Sequence, residues 1–215
     1  MVLHRTLIAM VVLAGVVVPQ AQERRDLKLF GDRFKPLTWE ALTPEQKLMV
    51  NDILSGSRKS LEGPFNALLR SPELGNRIAK VGEYLRFNSS IPRRLNEMAI
   101  LLTAQAWAAQ YEWHAHKPLA VAAGLSASVI DDIQAGRRPA RMQADEALVY
   151  DFSKEMRERR RVSDATYSAA VKMFGEQGVV DLAAVMGYYD LISMLLNLDR
   201  HPLPPGAPVP FPEPK

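Results

Sequence analysis

Apolar residues recur along this chain at three- and four-residue intervals, and no stretch alternates strictly between apolar and polar, so helices are expected throughout and strands nowhere. The first lies within Thr38 to Leu54, its clearest start being Thr43-Pro44-Glu45-Gln46, a cap followed by proline at the first helical position, and Gly56-Ser57 end it. Gly63-Pro64 opens a short apolar helix through Leu69. Ser71-Pro72-Glu73 starts another that runs to about Phe87, with Leu74, Ile78, Val81 and Leu85 at the helical period. After the turn Asn88-Ser89-Ser90, the stretch EMAILLTAQAWAAQYEWHAHKPLAVAAG from Glu97 to Gly124 is the strongest helical segment, and Gly124 is the first residue in it that reads as a stop. Ser126 then caps a short helix, Val129 to Ala135, ended by Gly136. A helix from about Met142 to Arg161 carries Ala147, Val149, Tyr150, Phe152 and Met156 on its apolar positions. Ser163-Asp164 caps the next, to about Phe174, and Gly175 and Gly178 bracket a turn. The last, Val179 to Leu198, is apolar almost all round, which predicts either burial or a subunit interface. The pattern describes a compact all-α bundle.

The two ends follow other rules. His4 and Arg5 precede an apolar run from Leu7 to Val18, then Pro19-Gln20-Ala21-Gln22 and charged Glu23-Arg24-Arg25. Residues 1–22 read as a secretory signal peptide, and the run is short for a bilayer span. Pro19 fits a small-x-small cleavage site poorly, so an uncleaved anchor is the alternative. Residues 23–37 are charged and irregular, a surface wrap or a mobile segment, and with the first helix they make an N-terminal extension over 23–62. The main domain covers 63–200. The proline-rich tail 201–215 is expected as an extended arm or as disorder.

Composition narrows the chemistry. At 215 residues the chain suffices for one domain with a core that needs no staples. The absence of cysteine excludes disulfides, thiolate metal sites and a cysteine nucleophile, and fits a periplasmic or secreted location. The net charge of +3 is spread among acids, so neither a nucleic-acid surface nor, once the leader is cut, a membrane partner is expected.

Glu112 and His116 stand four apart, which puts both on one face of a helix. Trp107, Tyr111 and Trp113 around them could supply a low-dielectric wall that raises the Glu112 pKa and favours neutral His116. The plainer reading is a surface pair worth about 0.2–0.5 kcal/mol. Of the four histidines, His4 lies in the leader and His201 in the tail, while His114 and His116 point to nearly opposite sides. Glu112 and His116 make two ligands where zinc needs three or four, so neither metal nor cofactor is expected. The linker Arg137-Arg138-Pro139-Ala140-Arg141 is either solvated or offers guanidinium groups to a carboxylate.

Glu97-Met98-Ala99-Ile100-Leu101, Gln110-Tyr111-Glu112-Trp113, His116, Ala120 and Ala123-Gly124-Leu125-Ser126 resemble the carboxymuconolactone decarboxylase family, which includes the alkylhydroperoxidase AhpD. The resemblance is clearest over Gly63 to Arg138, and Asp181 to Pro205 looks like the longer members. The peroxidase branch carries a Glu, a Cys-x-x-Cys twelve residues on, and a His four after the second Cys. Counted from Glu97, those places hold Ala109, Glu112 and His116, so the Glu and His are kept and both thiols are gone. The resemblance implies an AhpD-like bundle assembled as a trimer or hexamer, without thiol peroxidase activity. It implies acid/base chemistry, decarboxylation or lactone turnover, on a small carboxylated molecule. His116 would protonate an enolate-like anion, Glu112 orient the ring and Glu97 relay from solvent, with Arg93 or Arg94 holding a substrate carboxylate beside Trp107, Tyr111 and Trp113. The alternatives are a non-catalytic scaffold or a peroxide-handling protein without thiols. On one straight helix, Glu97 and Glu112 would lie roughly 22 Å apart, so a break near Ala108-Ala109-Gln110, where no breaker stands, is required for them to meet. Otherwise Glu97 serves another subunit or is structural. Pro118 removes the hydrogen bond to the His114 carbonyl and loosens the turn carrying His116.

Overall fold

A computed structural model describes residues 26–212, so the expected leader lies outside the described residues. Eight helices and no strand occur among them: α1 (Pro44–Ser55), α2 (Phe65–Leu68), α3 (Pro72–Phe87), α4 (Arg93–Ala106), α5 (Gln110–Ala122), α6 (Ala127–Gln134), α7 (Ala144–Arg159) and α8 (Asp164–Asp199). They form one all-helical domain.

The cap at Thr43 forms as its residues dictate. The Thr43 hydroxyl accepts from the Gln46 amide at 3.3 Å, and the Gln46 side chain accepts from the Thr43 amide at 2.9 Å. Gln46 also donates to the Leu69 carbonyl, tying α1 to the end of α2. Along α3 the buried face differs from the apolar stripe expected. Ile78 and Leu85 are buried, but Leu74 and Val81 are 54% and 49% exposed. Gly75 and Gly82 complete the buried face instead. A Cβ on Gly75 would sit 2.6 Å from Met49, and one on Gly82 would sit 2.0 Å from the Tyr188 hydroxyl. Close approach, which only glycine permits, sets this face.

The stretch from Glu97 to Gly124 is two helices, α4 and α5, folded back on each other. Ala108 takes a left-handed conformation with φ 46°. Its amide donates to the Gln105 carbonyl and the Ala109 amide to the Ala104 carbonyl, at 3.1 and 2.8 Å. This is the helix-ending motif that usually has glycine at its left-handed position. Contacts from α8 hold the turn: Asn197 donates to the Trp107 carbonyl at 2.9 Å, and the Trp107 indole donates to Asp190 at 2.6 Å. Tertiary contacts therefore supply the break that the local sequence lacks. α4 lies at the centre, packed by α5, α6, α7 and α8, which is why Leu95 through Leu101 are all buried.

The remaining elements shift only at their ends. α6 starts directly after its Ser126 cap. α8 runs through the expected turn as one kinked element, non-helical at Gly175 alone, with Gly178 buried inside it. By length and hydropathy α8 could cross a membrane, yet Leu182, Val185, Tyr189, Ile192 and Leu196 on it belong to the main core.

The described segments at either end, from residue 26 and up to residue 212, pack against the bundle. Leu27 and Leu29 enter the main core, and Asp199 at the end of α8 accepts from the Phe34 amide at 2.7 Å and from Asn66 at 2.9 Å. In the tail, Phe211 is buried edge-on against Trp113 at 5.1 Å. Gln110 pairs with its backbone both ways, at 2.7 and 3.0 Å. The tail is thus an extended arm docked along α5, anchored by one aromatic residue in a proline-rich run.

Candidate functional site

The fold-back of α5 on α4 brings His116 to Glu97. The imidazole Nδ1 lies 2.6 Å from Glu97 Oε2, and Nε2 lies 3.0 Å from Glu112 Oε1. All three residues are buried. Glu112 reaches the ring because i and i+4 share a helix face; Glu97 reaches it only because the chain turns at Ala108.

This geometry corrects the expectation of a neutral imidazole. Burial pushes the His116 pKa down, but the charge and hydrogen bond of Glu112, with those of Glu97, outweigh it and raise it to about 9. The ring is an imidazolium at neutral pH, held between two carboxylates. The Tyr189 ring meets it edge-on at 5.1 Å, and burial together with the Glu112 charge keeps the Tyr189 phenol protonated.

Glu112 and His116 line a cavity of about 190 Å³, together with Tyr111, Tyr188, Tyr189, Arg58 and Arg86. Arg58 is pinned there: it donates to the Ser60 carbonyl at 3.2 Å and the Glu62 carbonyl at 2.7 Å, and lies 4.7 Å over the Phe65 ring. Two of its five donors are thus engaged. Burial and the nearby Arg86 lower its pKa, while Tyr188, Tyr189 and Glu112 pull the other way. It remains a cation, because an arginine guanidinium does not lose its proton at ordinary pH. Burial raises the Tyr188 phenol to about 12. Cation, acid, base and protonated phenols converge on one small space.

Of the residues expected around the pair, Tyr111 is in the cavity wall and the others are elsewhere. Trp113 is buried in a second core with Met98, Val129, Ile130 and Phe211. Trp107 is partly exposed and holds the helix break. Arg94 is engaged by Asp145 at 2.6 Å and by Glu146, which leaves it unsuited to a substrate carboxylate. Arg93 is exposed at the start of α4. Arg137 and Arg138 pair with Asp132 and Asp151 on the surface, as a solvated linker would. Glu97 is buried and not in the cavity wall, so it does not face solvent as a relay.

Arg58, Arg86, Tyr188 and Tyr189 were not singled out from the sequence. The two tyrosines carried a signal, as paired phenols in an otherwise apolar helix. The arginines carried none, since one sits in a loop before α2 and the other in the last turn of α3, where a cation suits the helix end. No group of three or more acidic or histidine side chains suited to a metal ion occurs among the described residues. No family model, curated protein or solved structure matches the chain.

Proposed function

We propose that this is a carboxymuconolactone decarboxylase-like protein that performs cofactor-independent acid/base chemistry, decarboxylation or lactone turnover, on a small carboxylated compound. The observation that carries the reading is the Glu97–His116–Glu112 chain, in which His116 and Glu112 line a cavity that also holds two arginines. Arg58, with free donors, and Arg86 pair the substrate carboxylate in place of Arg94. When a carboxylate leaves as carbon dioxide, the electron pair of the broken C–C bond passes into the adjoining conjugated carbonyl as an enolate. The carbon then takes a proton. His116 supplies it through the Glu112 carboxyl group at the cavity wall, and Glu97 on the far nitrogen fixes the ring and its charge. For a lactone, the Glu112 carboxylate takes a proton from the attacking water instead.

The same reading includes an AhpD-like arrangement of the bundle, assembly into a trimer or hexamer, and export directed by residues 1–22. A scaffold role without catalysis is the alternative. The opening of Glu112 and His116 onto a cavity, rather than burial behind Trp107 and Trp113, favours the enzyme.

The test is turnover of a panel of small carboxylated lactones by the wild-type chain, followed by Glu112→Gln and His116→Gln on the best substrate. Each should lose about 10²- to 10⁴-fold in kcat/KM, the usual range for a positioned acid or base, while Arg58→Ala should raise KM. Undiminished turnover in both Gln variants would remove the assignment.

A further inference from the structure

The Glu112–His116 cavity has a neighbour of about 330 Å³, and Tyr111 is the one residue common to the two walls. Ile192 of α8 lines the first space and Leu196 the second. Four residues apart, they share a helix face and stand about 6 Å from each other along it. The two spaces therefore follow one another along α8, and Tyr111, from α5, stands where they adjoin. Its ring is the divider. Toward the first space it faces Gly63, where a Cβ would sit 3.4 Å from the ring edge. Toward the second it meets the His201 ring edge-on at 4.1 Å.

Both neighbours of the ring are themselves held. His201 hydrogen-bonds to the backbone of Phe30 and meets the Phe30 ring edge-on at 6.5 Å. Gly63 has a φ of 86°, a conformation that glycine adopts without strain and that lets the loop before α2 come this close. A ring braced from two sides gives the first cavity a fixed end, and its volume then sets the guest. A cavity of about 150 Å³ accommodates one benzene ring. The first cavity, at about 190 Å³, takes one six-membered ring with its carboxylate toward Arg58, and no second fused ring. Without the Tyr111 ring the two spaces would run together, with Leu196 as apolar wall beyond.

We propose that Tyr111 determines the specificity of the carboxylate site, restricting it to acids of a single ring. Shortening this side chain opens the second space to the guest of the first, and two fused rings then fit with the carboxylate still on Arg58. The inference rests on the carboxylate-binding role given above to the Glu112–His116 cavity, and is read by binding alone.

The test is calorimetric binding of benzoate and of 2-naphthoate, one ring and two, to the full-length chain and to the series Tyr111→Phe, Tyr111→Leu and Tyr111→Ala. Wild type and Tyr111→Phe should bind benzoate at least ten-fold more tightly than 2-naphthoate, because the ring and not its hydroxyl divides the space. Tyr111→Leu should narrow that preference and Tyr111→Ala abolish it. Tyr111 packs partly against the main core, and leucine keeps an apolar side chain there, so the series is readable even if the alanine variant unfolds. With imidazole nitrogens labelled for NMR, benzoate should move His116 alone, and 2-naphthoate in Tyr111→Leu should move His116 and His201 together. Equal binding of the two acids by the wild type would overturn the proposal. So would benzoate binding that Arg58→Ala removes while 2-naphthoate stays excluded from every Tyr111 variant; the assigned reaction would survive that result. Absence of lactone turnover with the binding series intact would remove the reaction and leave Tyr111 in its role.

Discussion

His116 holds a carboxylate on each ring nitrogen, and that arrangement couples its charge to folding. Its pKa rises from 6.5 to about 9 in the folded chain. The folded state therefore binds the proton more tightly than the unfolded one. The stabilisation is complete below about pH 6.5 and is lost as pH climbs through 9. Its ceiling is about 3 kcal/mol at 1.36 kcal/mol per unit, reduced by the cost of burying the three groups together. Urea unfolding at pH 6 and at pH 9.5 should show the wild type losing stability relative to His116→Gln across that interval. Parallel pH profiles would mean that the imidazolium contributes nothing to folding. At this scale the Glu112–His116 pair was legible, because i and i+4 spacing survives any tertiary arrangement. The charge state was not, since Glu112 is joined by a second carboxylate, Glu97, that arrives from beyond a turn that no residue announces. Nor was the role of Trp107, whose indole serves Asp190.

The turn between α4 and α5 places an alanine where glycine is usual. A non-glycine residue in the left-handed region costs roughly 1–2 kcal/mol. Ala108→Gly should therefore raise stability by up to about 1 kcal/mol, since glycine's greater freedom in the unfolded chain returns part of the gain. A lowered urea midpoint would show that the alanine makes packing contacts worth more than its strain. A second element-level device is the glycine face of α3. Gly82→Ala puts a methyl 2.0 Å from the Tyr188 hydroxyl, and Tyr188 forms cavity wall. The expected result is a loss of about 1–3 kcal/mol from overpacking, together with a raised KM for whatever the cavity turns over. A change in stability alone would place Tyr188 outside the binding surface. Helix existence was readable from periodicity nearly everywhere. What escaped was the face of α3, because a stripe read from side chains overlooks positions where their absence lets helices meet.

For the whole molecule, α8 presents two different surfaces. Leu182, Val185, Tyr189, Ile192 and Leu196 fill the core, which accounts for half of its all-round apolarity. On the other side, Val180, Ala184, Gly187, Leu191, Met194 and Leu198 are spaced four, three, four, three and four apart. That is the seam of a helix made to pack against another helix. Val180 is 66% exposed, Leu198 48% and Met194 43%, a Cβ on Gly187 would meet nothing within 4 Å, and Ala184 and Leu191, at the edge of the stripe, pack partly against the core. The sequence left burial and subunit contact as alternatives for this helix; the core face satisfies the first, and the outer stripe is available for the second. The proposed oligomer therefore makes a local prediction. Light scattering on the purified chain should give a multiple of the single-chain mass, and Val180→Glu with Leu198→Lys should return it to one chain with helical content unchanged, because neither residue supports the core. A wild-type chain that is monomeric at all concentrations would remove the α8 seam as an interface between copies. An oligomer that survives both charges would move the contact to another face.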